Sequence, residues 1–376
     1  MANEKRIRDL FLKLVSFDSE SFNENEIGTY LTGKLSGLGL KINTRKTTKN
    51  EFLKAHPDSH PNIYAVLKGN IPGDPILFSA HLDTVSPGTG KKAVISDDGF
   101  ITSEGDTVLG ADDISGLTAI LEALALIRER KADHRDIEIL FTVSEEPFCE
   151  GSKYFNYDLI KAKTGYVLDL TGEIGTAAIS APSIISFETR VIGRAAHAGF
   201  APEEGINALK VAADVITHIK TGRIDKNTTV NIGTIQGGTA KNIIPDDILL
   251  TGEIRSLDHV KALAKAEELE KTFSEFAKKA GARIRFKTTE HIKAYTVENN
   301  SEAVTLFKQA CKNTELEPEL VNTFGGSDAN RLNEAGIVTI VNACGMERVH
   351  STGEFTYIKD LVRSAELTYS LMTAKI

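Results

Sequence analysis

The stretch "GADDISGLTAILEAL", residues 110 to 124, sets two adjacent carboxylates, Asp112 and Asp113, at the mouth of an apolar helical run whose packing needs neither. Neighbouring segments repeat the theme. In "FSAHLDTV" the alternation of side chains along a strand puts His81 and Asp83 on one face at the strand's C-terminal end. The buried run "ILFTV" leads into Glu145 and Glu146, "GYVLDL" ends with Asp169, and His350 lies in the polar loop "MERVHSTGE" after "IVTIVNA". Each has an ordinary reading when taken alone: a core histidine bonded to a carbonyl, an Asp capping a helix, solvated loop acids. Together, five strand ends deliver His, Asp, Glu, Asp and His. Hard carboxylates mixed with imidazoles suit a zinc-like divalent ion, and the lack of cysteine ligands points to a catalytic rather than a sealed site. Five ligands exceed what one open zinc takes. The pattern therefore predicts two ions about 3.5–4 Å apart sharing a bridging carboxylate, Asp112, an arrangement suited to hydrolysing amides and phosphoesters.

Ligands gather at the C-terminal edge of open α/β sheets, so these residues call for such a sheet. As far as about Ser180, apolar runs such as "NIYAVLKG", "PILFSAHLDTV" and "IEILFTVSEE" alternate with helical patterns, which predicts an α/β fold. From Ser183 to Ile292 the order changes to β-α-β-β-α-β, with a long helix from His259 to Lys279, the pattern of a ferredoxin-like unit. The first rhythm then returns, ending in a helix from Ile358 to Met372. The expected fold is a discontinuous α/β catalytic domain, residues 1–181 and 294–376, interrupted by a small lid domain, residues 182–293.

Composition narrows the partners. The 376 residues carry 44 Lys and Arg against 52 Asp and Glu, a net charge of -8, with no basic cluster interleaved with aromatics, so no nucleic-acid partner is expected. Cys149, Cys311 and Cys344 stand far apart without a CxxC pair, which argues against a disulfide framework and for a reducing compartment. The start, "MANEKRIRDLFLKLVSF", is charged and amphipathic, unlike a signal peptide, and no 18-residue apolar run occurs. A cytoplasmic protein without a membrane partner is expected.

In order and spacing, "HLDTV" (81–85), "LGADDISG" (109–116), "SEEPFCEGS" (144–152), "LDL" (168–170), "AAHAGFAPEEGINAL" (195–209), "KNIIPD" (241–246), "GEIRSLD" (252–258), "FGGSDA" (324–329) and "VHSTGE" (349–354) resemble the M20 family of metallopeptidases. Within that family the chain looks like the peptidase T branch of tripeptide aminopeptidases, over nearly its full length. The resemblance implies two zinc ions, with His81 and Asp169 on one, Glu146 and His350 on the other, and Asp112 between them. It implies Asp83 as the partner that orients His81, Glu145 as general base, and no ligand role for Asp113. The inserted domain resembles the family's lid, where His197 would stabilise the oxyanion and Arg255 would anchor the substrate's carboxylate. Asn242 and Gly326 would lie near the same group, and the lid could pair two chains into a homodimer.

The segment Ser144-Glu145-Glu146-Pro147-Phe148-Cys149 departs from many relatives, which carry Asp before the paired glutamates and Gly soon after, so Pro147 and Phe148 are expected to reshape the wall beside the base. An aminopeptidase acting on short peptides leads. An N-acyl amino acid deacylase or a carboxypeptidase of the same family stays open, as does a non-catalytic binding relative. Six further histidines, His56, His60, His134, His218, His259 and His291, are expected to stand without partners or role.

Overall fold

The computed structural model describes residues 2–43 and 46–374. The chain divides into two compact units, one running through Ser180 and resuming at Thr296–Thr323 and from Ser327 onward, the other comprising Ala181–Tyr295 and Phe324–Gly326. The short return of Phe324–Gly326 to the second unit was absent from the sequence-based boundaries.

The first unit is built on a sheet whose centre is parallel: Ile137–Thr142, Ile76–His81, Thr164–Leu170 and Val338–Ala343 are adjacent in that order. Every residue of Ile76–His81 and Ile137–Thr142 is buried, as expected for parallel strands covered on both faces. Ile63–Leu67 pairs antiparallel with Ile137–Thr142, and Thr176–Ala181 antiparallel with Val338–Ala343. The helix Ala111–Arg130 is buried on all sides along most of its length, and its regular turns start after Asp113, since Asp112 and Asp113 have non-helical backbone angles. The amphipathic helix Glu4–Val15 is tied to that core helix by a half-buried ion pair: Arg6 Nε donates to Glu122 Oε2 at 2.6 Å, and the Asn3 amide donates to Glu122 Oε1 at 2.9 Å.

The second unit is a five-stranded antiparallel sheet in the order Gly222–Asp225, Thr228–Gly237, Asp247–Ser256, Ser183–Ile192, Arg283–Ile292. Its last four strands with the helices Ala208–His218 and His259–Lys279 form the ferredoxin-like unit. The helices bury Val211, Val215, Leu269 and Phe273 against inward residues such as Ile185, Val191, Leu250 and Ile254. The edge strand Gly222–Asp225 is an addition to the expected order. It is polar and largely exposed, so it carries no alternating apolar signal.

Candidate metal centre

Four of the segments picked out by sequence end at the same edge of the first unit's parallel sheet. His81 is the last residue of its strand. Its Nδ1 faces the Asp83 carbonyl at 2.9 Å, with Asp83 Oδ1 at 3.3 Å; a carbonyl only accepts, so Nδ1 carries a proton and Nε2 is turned to Asp112 Oδ1, 3.0 Å away. The other oxygen of Asp112 meets His350 Nε2 at 3.2 Å, and the same nitrogen lies 2.9 Å from Glu146 Oε2. A single carboxylate thus spans two imidazoles. Donor atoms of His81, Asp112 and Asp169 lie within 4.8 Å of one another, and so do those of Asp112, Glu146 and His350.

The electrostatics of this edge are unbalanced. Burial opposes ionisation of Asp112, yet hydrogen bonds from His350 and His81 hold it well below the usual carboxylate range. His350 is pushed up to about 10 by Asp112 and Glu146. Burial followed by the charge of Asp112 lifts Glu146 to about 7 and raises Asp169 well above its ordinary value. Glu146 Oε1 is buried without a hydrogen-bond partner among the described residues. An excess of buried carboxylates over imidazoles, one with an orphaned oxygen, is a donor set that fits divalent cations.

The neighbour of Asp112 has another job. Asp113 is buried and accepts the His81 amide at 3.2 Å and the Gly116 amide at 3.1 Å, so it braces the strand end and the first helical turn. Glu354 does the same from the His350 loop, accepting the Gly110 amide at 2.7 Å and the Asp112 amide at 2.9 Å.

Glu145 is buried beside this group rather than in it. Its carboxyl is raised well above the ordinary range by burial and accepts from Cys149 Sγ at 3.2 Å. Its amide donates to Asp83 Oδ1 at 2.9 Å, the Glu146 amide to Asp83 Oδ2 at 3.2 Å, and Ser21 Oγ to Asp83 Oδ2 at 2.7 Å. Ser144 donates through both N and Oγ to Glu24, whose carboxyl is buried. Sequence reasoning passed over Ser21, Glu24, Cys149, Asp328 and Glu354. Cys149, Asp328 and Glu354 stand inside quoted motifs; Ser21 and Glu24 carried no local signal.

The remaining four candidates lie in the second unit. His197 sits in the turn after the strand Ser183–Ile192, where its Nδ1 accepts the Gly199 and Phe200 amides, each at 3.1 Å, leaving the proton on Nε2. Asn242 is exposed, and its carbonyl accepts the Ala198 amide at 2.9 Å. Arg255 is not a free fork: Nε and Nη2 donate to Glu253 at 2.7 and 3.2 Å, and Nη1 donates to the Phe324 carbonyl at 3.0 Å. Gly326 packs rather than opens: a Cβ there would come within 2.1 Å of Ile292 Cδ1. The six other histidines do have partners, contrary to expectation; His134 Nδ1 faces the Arg135 carbonyl at 2.7 Å, His259 Nδ1 the Ser183 hydroxyl at 3.0 Å, and His56 stacks on Phe22.

Known proteins share this architecture. The peptidase dimerisation domain matches residues 179–281, most of the second unit, and peptidase family M28 matches residues 62–222. The chain is 36% identical over 372 residues to the protein YqjE of Bacillus subtilis (strain 168), covering 99% of each. A tripeptidase from Staphylococcus aureus subsp. aureus Mu50 superposes with a TM-score of 0.94 at 32% identity, covering 99% of this chain and 98% of that one. The aminopeptidase PepT from Bacillus cereus ATCC 10987 superposes with a TM-score of 0.91 at 35% identity, with the same coverage. Fold and relatives together define a metallopeptidase. The chain belongs to the M20 peptidases and is peptidase T-like. Among the described residues no helix is long and apolar enough to cross a membrane.

Proposed function

We propose that this chain is a two-metal aminopeptidase that releases N-terminal residues from short peptides, with tripeptides as the leading class. The observation that carries the reading is Asp112, whose two oxygens face His81 and His350 and so join two adjacent donor groups. His81 and Asp169 would hold one divalent cation, Glu146 and His350 the other, with Asp112 shared and the mixed imidazole and carboxylate donors favouring zinc. Bound there, the ions would supply acidification of a water and polarisation of the scissile carbonyl.

The chain's own residues do the rest. Glu145 takes the proton of the attacking water and passes it to the departing amine, a role suited to a carboxyl whose burial raises its affinity for protons. Asp83 sets the tautomer of His81 and anchors the turn that carries the base. His197 Nε2–H is assigned to the developing oxyanion. Arg255, with Asn242 and Gly326, is assigned to the substrate's carboxylate, and Glu253 competes for that guanidinium. The catalytic role is assigned to residues 1–181 and 294–376 and the lid role to 182–293, with pairing of two chains through the lid. Three cysteines, all buried and unpaired, fit a cytoplasmic setting.

The test is release of amino acids from free and N-acetylated di- and tripeptides by zinc- or cobalt-loaded enzyme, with Glu145→Ala as control. Cleavage of free tripeptides that is lost in the variant supports the reading. Cleavage of acylated substrates alone would move the chain to the deacylases, and cleavage of none would make it a binding relative.

A further inference from the structure

Behind the proposed base lies a third buried cluster that the two-metal reading leaves unused. Glu145, Cys149 and Asp328 each offer an atom within 4.8 Å of the others. It is not a further ion site, because both oxygens of Asp328 already accept hydroxyls, from Thr142 and Ser152. The thiol of Cys149 instead donates to Oε1 of Glu145 at 3.2 Å, and among the described residues no hydrogen bond reaches Oε2.

We infer that Cys149 is a positioning residue for the base: its thiol holds Glu145 by Oε1 and leaves Oε2 as the oxygen that exchanges protons with water and leaving amine. This rests on the reading of Glu145 as base. The turn is built to bring the thiol there. The Cys149 amide donates to the Glu145 carbonyl at 2.6 Å, and the Glu150 and Gly151 amides donate to the Ser144 carbonyl at 2.9 and 3.3 Å. Ser144, Phe148 and Cys149 hold φ of 48°, 64° and 57°, the left-handed region that non-glycine residues seldom occupy. Glycine would adopt this backbone freely, so the backbone alone gives no reason for a cysteine at 149; the hydrogen bond does. The thiol stays a donor, since burial and the nearby Glu145 and Asp328 carboxylates push it well above its ordinary range.

The experiment compares zinc-loaded wild type, C149S, C149A, C149G and E145A on free trialanine, with bound metal counted and unfolding midpoints recorded. C149A and C149G are expected to lose roughly 10- to 100-fold in kcat at unchanged KM and metal content, the scale of a misplaced catalytic group. C149S, which keeps a donor, is expected to stay within about threefold of wild type. C149G relaxes the turn, so it stays folded even if C149A does not. Independently of any substrate, crystal structures of the metal-free variants should show the Glu145 carboxyl released in C149G and retained in C149S. Wild-type kcat in C149A and C149G, a C149S as slow as C149A, or an unmoved carboxyl in C149G would overturn the inference. An active E145A would overturn the base reading instead; an inactive E145A beside a fully active C149G sinks the positioning role alone.

Discussion

Asp83 grips Glu145 by its backbone: the amide of Glu145 donates to Asp83 Oδ1 at 2.9 Å, and that of Glu146 to Oδ2 at 3.2 Å. The residue that sets the orientation of His81 therefore also fixes the turn that presents Glu145 and Glu146. Asp83→Ala keeps the backbone carbonyl 2.9 Å from His81 Nδ1 but removes the carboxylate that stands 3.3 Å from that nitrogen and accepts both amides, and is expected to weaken metal affinity by about 10-fold, with kcat falling beyond what restored metal occupancy recovers. Ser21→Ala removes only the hydroxyl on Oδ2 and should cost about 1 kcal/mol of stability or less. Metal titration by calorimetry, followed by kinetics at saturating zinc, separates the two effects. Full recovery of kcat in Asp83→Ala at saturating metal would leave Asp83 as a His81 partner only.

The same turn has no room for a side chain at Gly151, where a Cβ would lie 1.8 Å from the Val143 carbonyl oxygen. Backbone cannot yield as a flexible side chain does. Gly151→Ala is expected to destabilise the protein by about 2 kcal/mol or more, read as a lower urea midpoint at unchanged slope. A midpoint within error of wild type would show that the turn shifts without cost.

Glu24 gives a pH dependence whose sign can be worked out. Burial, then the charge of Asp83, pushes it from an ordinary 4.5 up to about 7. Between those values the folded protein binds more protons at this site than the unfolded chain. Its stabilising contribution is thus complete below the unfolded value and is lost as pH rises through about 7. Glu24→Gln mimics the protonated form, so it should flatten the decline in unfolding free energy between about pH 5 and 8 by roughly 2–3 kcal/mol. Urea unfolding at fixed metal content across that range is the measurement, and an unchanged slope would count against a protonated Glu24.

Much of the architecture was legible because it follows periodicity. Buried parallel strands read as apolar runs, and the helices His259–Lys279 and Ile358–Met372 carry apolar stripes that ordinary spacing reveals. The acids and imidazoles at strand ends stood out because packing had no use for them. Their supports did not stand out, since a buried polar pair needs only spatial adjacency. Ser144 looked like the loss of a carboxylate, yet the carboxylate is supplied by Glu24, 120 residues earlier. Arg255 read as an anchor through its place in the motif, although a surface ion pair is the ordinary reading of an arginine on a strand, and its partner is Glu253, two residues away on the same strand face. Gly326 was placed near the substrate's carboxylate without sight of Ile292, because a missing side chain looks the same in sequence whether it admits a ligand or a neighbouring side chain.

Arg255 and Glu253 provide the sharpest test of substrate anchoring. Their contact is bidentate, at 2.7 and 3.2 Å, but the side chains are 29% and 30% exposed, so water screens it and its strength is modest, about 1 kcal/mol or less. A peptide carboxylate offers the same two oxygens and can take the place of Glu253 at little cost. If Arg255 binds that carboxylate, Glu253→Gln removes the competitor, and KM for a free tripeptide should fall by up to about fivefold. KM for the matching C-terminal amide should not move, because no carboxylate is present to gain. Arg255→Met should act oppositely, raising KM for the free acid by roughly tenfold or more while sparing the amide. Equal changes for acid and amide in either variant would mean that the pair shapes the strand Asp247–Ser256 rather than the substrate's end.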